Sequence, residues 1–414
     1  MKKTKSNIDL TLILLFFALI GIGWINIYST TADSNGIFSF NTNYGRQLIW
    51  IGSAILLLIF TMVINYRFYP AFSTPIYILF IIMLVLVVFI GETTKGATSW
   101  FGIGNIGIQP AEFAKYATCL LLARYIADND CDLTKNKHLL IVILMILLPM
   151  SLILLQNDTG SALPFLFLIF ALYREGLKSW ILISGFSAII LFILLVFLKE
   201  WAVIIILSVI LAFFLWTLRK QKRMYVGIFL IYAAAIVYVF SIGTVYNRVL
   251  KDYQRARIEV LFGKIDDPKG IDYNVIQSKI AIGSGGFTGK GFRNGTQTTL
   301  NFVPEQSTDF IFCTIGEGWG FLGSIFVILL YALLIIRIFM RSEQQREPFV
   351  RIYGYCIACI FFAHFAINIG MTIGLMPVIG IPLPFISYGG SSLLAYTLML
   401  FTFINLDAKT NHWA

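Results

Sequence analysis

The sequence predicts an all-α, polytopic integral membrane protein: a helix bundle with about 12 spans and one large outer loop. Of its 414 residues, 58% are hydrophobic and only 13% are charged, and the mean hydropathy of +0.83 is well above that of soluble domains. The apolar residues come in blocks of about 17 to 25, long enough to cross a hydrocarbon core as helices. Alternating apolar and polar segments, typical of membrane barrels, are missing.

Each predicted span is one apolar block. The first follows a basic start that includes Lys2 and Lys3, but it is too long for the core of a secretory signal and lacks a small-residue cleavage site, so we expect it to be retained. No repeat or low-complexity linker divides the chain, which predicts a single membrane domain over 1–414 with an outer loop at 246–308. The predicted spans are 9–29, 46–65, 74–91, 110–127, 138–156, 160–174, 179–198, 201–217, 223–244, 309–340, 350–373 and 386–406.

The loops indicate which side of the membrane each span faces. With a cytoplasmic N-terminus, alternate loops carry most of the basic residues, as the positive-inside bias requires, and the C-terminus is cytoplasmic too. The outer loop 246–308 departs from this bias with nine Lys and Arg, although loops longer than about 60 residues are largely exempt. The net charge of +10 therefore has two plausible causes, the bias itself and an anionic lipid or phosphate ligand. Nucleic acid is a poor third, because no soluble basic domain is present to bind it.

Zinc and nucleotide sites receive little support from the sequence. The five cysteines form no disulfide framework, the three histidines are scattered and HExxH is absent, which argues against zinc. The run GSGGFTGKGFRNGTQ at 283–297 fails the Walker pattern at Ser284 and Gly291. It is interpreted as a flexible loop in which Lys290, Arg293 and backbone N–H groups can approach an anion.

Polar residues at the mouths of apolar spans are costly in lipid, so each is a functional candidate. Arg46 begins the second span, where it is either an interfacial snorkelling residue or a ligand for an anion. Glu112 and Lys115 are spaced i, i+3 and share one helix face, as a structural ion pair or as a charged cavity wall. Asp158 lies in QNDTGSA between two spans. All of these positions fall on the predicted outer side.

Asp309 ends a polar run, PEQSTD, where a long apolar segment starts. Asp and Thr are favoured at helix N-termini, so Thr308 and Asp309 could simply cap the helix. Glu305 and Glu317 form a row of acids with Asp309 beside a loop rich in Lys and Arg, which favours a site over a cap. The segment 376–390, MPVIGIPLPFISYGG, is also irregular at membrane depth, which is tolerated only beside protein or a cavity.

Six segments in order resemble the SEDS family of shape, elongation, division and sporulation proteins. The resemblance is closest to the RodA branch, on the short N-terminus and NIGM, with the division paralogue FtsW as the alternative. The segments are KGATSWFGIGNIGIQPAEFAK (95–115), QNDTGSAL (156–163), YQRARI (253–258), QSKIAIGSGGFTGKGF (277–292), VPEQSTDFIFCTIGEGWGFLGS (303–324) and NIGMTIGLMPVIGIPLPFISYGGSSLL (368–394).

The resemblance implies an inverting peptidoglycan glycosyltransferase that polymerises lipid II on the outer face of the bacterial cytoplasmic membrane, during cell elongation and shape maintenance. The catalytic aspartate of the family's TDF motif falls on Asp309, which would act as general base. Basic residues or a divalent cation, Mg or Mn, would stabilise the leaving diphosphate, and no organic cofactor is expected. The substrate-binding residues expected with Asp309 are Arg46, Glu112, Lys115, Asp158, Lys290, Ser278 and Gln306.

The expected partners are lipid II, the growing undecaprenyl-diphosphate-linked glycan, membrane lipids and a class B penicillin-binding protein that cross-links the product. Two departures from the family pattern matter. Ser99 precedes Trp100 where the family often has Arg, and an extra hairpin raises the usual span count of about ten. A lipid II flippase and a non-catalytic scaffold are the rival interpretations: a flippase would line both membrane halves with charge, and a scaffold would not need Asp309.

Overall fold

The structure, a computed structural model, describes residues 8–31, 39–94, 96–103, 106–128, 131–219, 222–248, 252–262, 264 and 273–410. Some basic residues of the sequence argument lie outside these ranges: Lys2, Lys3, Lys5, Lys220, Lys251 and Lys269. The helices are α1 (Leu10–Thr31), α2 (Asn43–Val63), α3 (Phe68–Ile90), α4 (Pro110–Asp128), α5 (Asn136–Leu155), α6 (Thr159–Ala162), α7 (Leu168–Arg174), α8 (Ser179–Phe197), α9 (Glu200–Thr217), α10 (Tyr225–Arg248), α11 (Asp252–Leu261), α12 (Tyr273–Ser284), α13 (Thr296–Thr299), α14 (Ile311–Glu343), α15 (Pro348–Thr372) and α16 (Gly390–Lys409).

Ten helices in the described ranges are long and apolar enough to cross a membrane, and they coincide with ten of the twelve predicted spans. The other two predicted spans, 110–127 and 160–174, are helical too. Helix α4 carries four charged residues among its 19, and a 3-10 turn (Leu163–Phe167) separates α6 from α7. Pro164 lies in that turn, where its missing N–H disfavours a continuous α-helix. The polytopic helical fold is confirmed. The prediction of twelve spans depends on whether the segments 110–127 and 160–174 also cross the membrane.

The chain groups into two compact units. Unit 1 comprises Met1–Leu177 and Asn274–Ala414, and unit 2 comprises Lys178–Tyr273. Unit 2 contains the apolar helices α8, α9 and α10 together with α11. The prediction of a single domain with one large outer loop stays a prediction.

The centre of unit 1 is formed by α15 and α16. Of their most apolar stretches, 72% and 89% of the residues are buried. Helix α15 packs against α4 and α14, and α16 packs against α2. Because α15 and α16 have protein on nearly all sides, their polar residues face other side chains rather than lipid.

A small antiparallel sheet precedes α4, in a segment that the sequence predicted as a loop. Its strands are β1 (Glu92–Thr94), β2 (Ala97–Ile103) and β3 (Ile106–Ile108), in the order β1-β2-β3. Phe101 pairs with Ile108, and the Thr98 N–H donates to the Gln156 carbonyl at 3.0 Å. The sheet therefore connects α3, α4 and the end of α5 on one side of unit 1.

Two interruptions of regular structure position the candidate site. Gly320 has φ +66° and breaks α14 within its first three turns. Residues 373–389, here called the α15–α16 connection, contain no helix or strand, as the prolines and glycines predict. Groups of α15 and of the segment before α14 contact this connection.

Candidate active site

Asp309 lies in a tight turn, 304–310, that leads into α14. Glu305 has φ +58°, and its carbonyl accepts hydrogen bonds from the N–H groups of Thr308 (3.1 Å) and Phe310 (3.2 Å). The Thr308 hydroxyl donates to the Glu305 carboxylate at 2.9 Å. The N-cap residue of α14 is Phe310, which makes no side-chain cap bond. Neither Thr308 nor Asp309 therefore holds the N-cap position itself.

The backbone of this turn is held by α15 and by the α15–α16 connection. The Asn368 amide donates to the Asp309 carbonyl at 2.8 Å and to the Ile381 carbonyl at 2.7 Å. The Ser387 hydroxyl donates to the Thr308 carbonyl at 2.6 Å, and the Tyr388 N–H donates to the Ser307 carbonyl at 2.8 Å. Three consecutive carbonyls are thus satisfied from outside the turn, which fixes the position of Asp309.

The Asp309 residue, which is partly exposed, has its carboxylate against Gly380, and Gly380 in turn lies against Gly160. A Cβ at Gly380, where φ is +79°, would lie 3.2 Å from the Asp309 Oδ2, and a Cβ at Gly160 would lie 2.7 Å from the Gly380 carbonyl oxygen. Only glycine allows the two backbones to approach so closely beside the carboxylate. The start of α6, the α15–α16 connection and Asp309 therefore meet at one point.

Asp158 caps α6 next to this point. Its Oδ1 accepts the Ser161 N–H at 3.0 Å, and its Oδ2 accepts the Gln109 amide at 2.7 Å. Gln109 also donates to the Ser161 hydroxyl at 3.1 Å. Both carboxylate oxygens of Asp158 thus bind protein groups, which gives the residue a structural role close to Asp309. Its predicted contact with substrate stays a prediction.

Glu112 and Lys115 form the ion pair that their spacing predicted, and it is fully buried. The Lys115 Nζ lies 2.8 Å from the Glu112 Oε1 and 2.8 Å from the His364 Nε2. Because an ammonium only donates, Nε2 accepts, and the ring proton is on Nδ1, 3.2 Å from the Pro382 carbonyl oxygen. Tyr396 also contacts the imidazole, at 3.0 Å. A buried chain of polar groups therefore runs from α4 to the α15–α16 connection.

Lys290 binds Glu317, a buried carboxylate in α14. The two side chains are 2.7 Å apart. The Glu317 carboxylate also accepts hydrogen bonds from the N–H groups of Gln297 (3.0 Å) and Thr298 (2.9 Å) and from the Thr298 hydroxyl (2.8 Å).

The backbone of the glycine-rich loop, 285–295, also binds α14. The N–H of Lys290 donates to the Glu317 carbonyl, and the N–H of Gly291 donates to the Gly318 carbonyl, each at 3.0 Å. The glycine-rich loop is thus folded onto α14. Its N–H groups at 290 and 291 are not open to an anion, contrary to the expectation of a flexible anion loop.

The remaining predicted site residues lie around the same region. Arg46 is exposed in the first turn of α2, and its side chain forms no ion pair with the described residues. Ser278 is buried and donates to the Thr372 carbonyl at 2.9 Å. Gln306 is buried in the Asp309 turn and donates to the Asn301 side chain at 2.6 Å. Their predicted contacts with substrate stay predictions.

Sequence reasoning missed Asn368, His364 and Gly380, which hold the candidate site together. Asn368 and His364 each had a detectable signal, because they are polar residues within an apolar span. Gly380 was noticed only as one glycine of an irregular segment. No group of three or more His, Cys, Asp or Glu in the described ranges is arranged to hold a metal ion. The divalent cation expected from the family resemblance stays a prediction.

The chain is similar to proteins of one known family. The family model for FtsW, RodA and SpoVE, described as "Cell cycle protein", matches residues 10–208 and 171–412. The chain is 32% identical over 397 residues to the peptidoglycan glycosyltransferase MrdB of Escherichia coli K12, covering 95% of this chain and 92% of that protein. It is 33% identical over 429 residues to the peptidoglycan glycosyltransferase RodA of Treponema pallidum, covering 96% of each. A solved chain from a peptidoglycan synthase complex, described as coordinating polymerization and crosslinking, matches with a TM-score of 0.70 and 27% identity, covering 97% of this chain and 98% of that one.

Proposed function

Since the chain belongs to the family of FtsW, RodA and SpoVE cell cycle proteins, we propose that it is a peptidoglycan glycosyltransferase that polymerises lipid II during cell elongation. The family expected from the six motifs is confirmed. Ten apolar helices among the residues that the structure describes make the chain a multi-pass membrane protein. The basic residues of alternate loops support cytoplasmic termini, which would place Asp309 at the outer face of the cytoplasmic membrane.

Asp309 is the general base of the proposed reaction. Two observations support this role. Asp309 is partly exposed, and the backbone carbonyls at 307, 308 and 309 each accept a hydrogen bond from elsewhere in unit 1. A base must stay within about 3 Å of the proton that it removes, so a fixed backbone favours transfer.

The proposed step forms one bond and breaks another at the anomeric carbon of the donor. The acceptor sugar hydroxyl attacks that carbon with inversion, and its proton passes to Asp309. The bond from the carbon to the diphosphate oxygen breaks, and the diphosphate leaves with the electron pair. Cationic side chains near Asp309 would stabilise this developing charge.

A transpeptidase that cross-links the product is the proposed partner. The similarity to a chain from a complex that couples polymerization and crosslinking supports this pairing. The class B penicillin-binding protein expected from the family resemblance would fill that role.

The direct test is polymerisation of labelled lipid II by purified protein in nanodiscs. We expect Asp309→Asn to lower the rate by at least about 100-fold, since general base catalysis contributes about 10²–10⁴. Glu305→Gln, which removes an exposed acid four residues away, is the matched control and should stay active. Each protein is assayed with and without Mg²⁺ and Mn²⁺. An Asp309→Asn variant that polymerises lipid II at the wild-type rate would refute the role of Asp309, and an inactive wild type would refute the proposed function.

A further inference from the structure

The glycosyl transfer proposed above releases a diphosphate, so cations whose charge is not already neutralised should lie near Asp309. The structure separates the outer basic residues of unit 1 into two kinds. Lys115 and Lys290 each bind a buried carboxylate, Glu112 and Glu317 respectively, at 2.8 and 2.7 Å. If either lysine moved to a substrate, its buried glutamate would be left charged and unpaired. Both lysines are therefore poor ligands for a substrate that must bind and dissociate in each cycle.

Lys279 is of the other kind. It lies on α12, its side chain is exposed, and it forms no ion pair or hydrogen bond within the described ranges. Its Nζ lies 3.2 Å from the position that a Cβ would take at Gly374, where φ is +79°. The ammonium is therefore beside the start of the α15–α16 connection, the segment that also contacts Asp309.

Helix α12 is fixed next to the Asp309 turn by two sets of contacts. The Ser278 hydroxyl binds the Thr372 carbonyl at 2.9 Å, and Thr372 lies four residues after Asn368, which holds the Asp309 carbonyl at 2.8 Å. Four residues of helix correspond to about 6 Å along α15. Ala281 of α12 also packs in one apolar cluster with Phe310, the residue after Asp309, and with Cys313 in the first turn of α14.

We propose that Lys279 binds the diphosphate of the lipid-linked substrate beside Asp309. This inference rests on the proposed function. When an exposed ammonium binds phosphate, it loses contacts with water but breaks no ion pair with a carboxylate. The charge-assisted hydrogen bond to phosphate therefore contributes directly to affinity. Lys290 is left with a structural role, in holding the glycine-rich loop to α14.

The test measures binding of undecaprenyl diphosphate to the full chain in phosphatidylcholine nanodiscs, which requires no turnover. We expect Lys279→Ala and Lys279→Gln to weaken binding about tenfold or more, the factor that the loss of one charged contact produces. Lys279→Arg should retain most of the affinity. The matched control is Lys137→Ala, which removes an exposed lysine at the far end of α5 and should bind as the wild type does.

A second series replaces part of the phosphatidylcholine with phosphatidylglycerol, to separate the lipid-linked diphosphate from an anionic headgroup. The proposal would be overturned if Lys279→Ala and Lys279→Gln both bound undecaprenyl diphosphate with the wild-type affinity. It would also be overturned if these variants lost affinity only in the nanodiscs that contain phosphatidylglycerol. Lipid II polymerisation is measured in parallel with the same proteins. A wild type that binds the diphosphate but does not polymerise would refute the proposed function alone, whereas unchanged binding in an active Lys279→Ala would refute this inference alone.

Discussion

His364 joins two parts of unit 1 that lie far apart in the sequence. It accepts from Lys115, 249 residues away, and its Nδ1 faces the Pro382 carbonyl oxygen. The imidazole is fully buried, so both ring nitrogens need partners, and these two satisfy them. A charge on α4 is thereby linked to the segment that contacts Asp309.

The first residue-scale prediction concerns the buried ion pair. Lys115→Met leaves Glu112 charged and unpaired in a fully buried position, which should cost about 3–5 kcal/mol of stability. Adding Glu112→Gln removes that charge, so the double variant should regain part of the loss. Thermal unfolding of the purified protein in detergent measures both. If Lys115→Met unfolded at the wild-type temperature, the pair would not be a stabilising element.

Sequence reasoning found some of these residues because their partners are close along the chain. The i, i+3 spacing of Glu112 and Lys115 predicted their contact, and the polar run before an apolar block singled out Asp309. Lys290 was expected to bind an anion because no local pattern links it to Glu317, which is 27 residues away. Asn368 and Gly380 act through backbone contacts, which residue types alone do not specify. The family itself was recognisable from six motifs.

At the scale of elements, the glycine-rich loop and the broken helix α14 form one structure. The N–H groups of Phe321 and Leu322, just past the break at Gly320, donate to the loop carbonyls of Gly286 and Phe287. Glu317 lies on the other side of the break and accepts three hydrogen bonds from Gln297 and Thr298 alone. Apolar periodicity predicted a span here but gave no sign of the break, because Gly320 is one glycine among several in TIGEGWGFLG.

The prediction for this element is local opening of the loop. Glu317→Gln removes the negative charge, and the amide nitrogen cannot accept the bonds that Glu317 accepts now. Each charged hydrogen bond contributes about 1.5–3 kcal/mol, so amide exchange of 284–299 should speed up by at least about tenfold. Hydrogen–deuterium exchange with mass spectrometry measures this. Glu305→Gln is the control, and equal protection in Glu317→Gln and wild type would contradict the assignment.

At the scale of the whole molecule, four of the arginines that predicted the cytoplasmic side are paired with acids: Arg174, Arg337, Arg341 and Arg351. Arg337 binds Asp9 at 2.8 Å, and Arg341 binds Asp407 at 2.6 Å. These contacts tie the start of α1 and the end of α16 to the end of α14. The arginines from which the orientation was predicted also hold unit 1 together at this end. The basic residues of the loops predicted the orientation from the sequence, whereas their ion pairs with acids are seen only in the folded structure.

The topology has a direct test. Glu305 and Gln344 are exposed residues that flank α14, so cysteines introduced there should lie on opposite sides of the membrane. In cells that express a variant lacking the five native cysteines, a membrane-impermeant maleimide should label Glu305→Cys directly. It should label Gln344→Cys only after permeabilisation. The reverse pattern would invert the proposed orientation and place Asp309 on the cytoplasmic side.

The turn that carries Asp309 is held through its carbonyl oxygens, and no side chain at 307, 308 or 309 takes part in those bonds. An asparagine at 309 leaves the same oxygen in the same place for Asn368. Asp309→Asn is therefore suited to serve as a substrate trap: donor and acceptor should load onto an intact but unreactive protein. Such a trapped complex is the natural specimen for imaging both sugars before the bond between them forms.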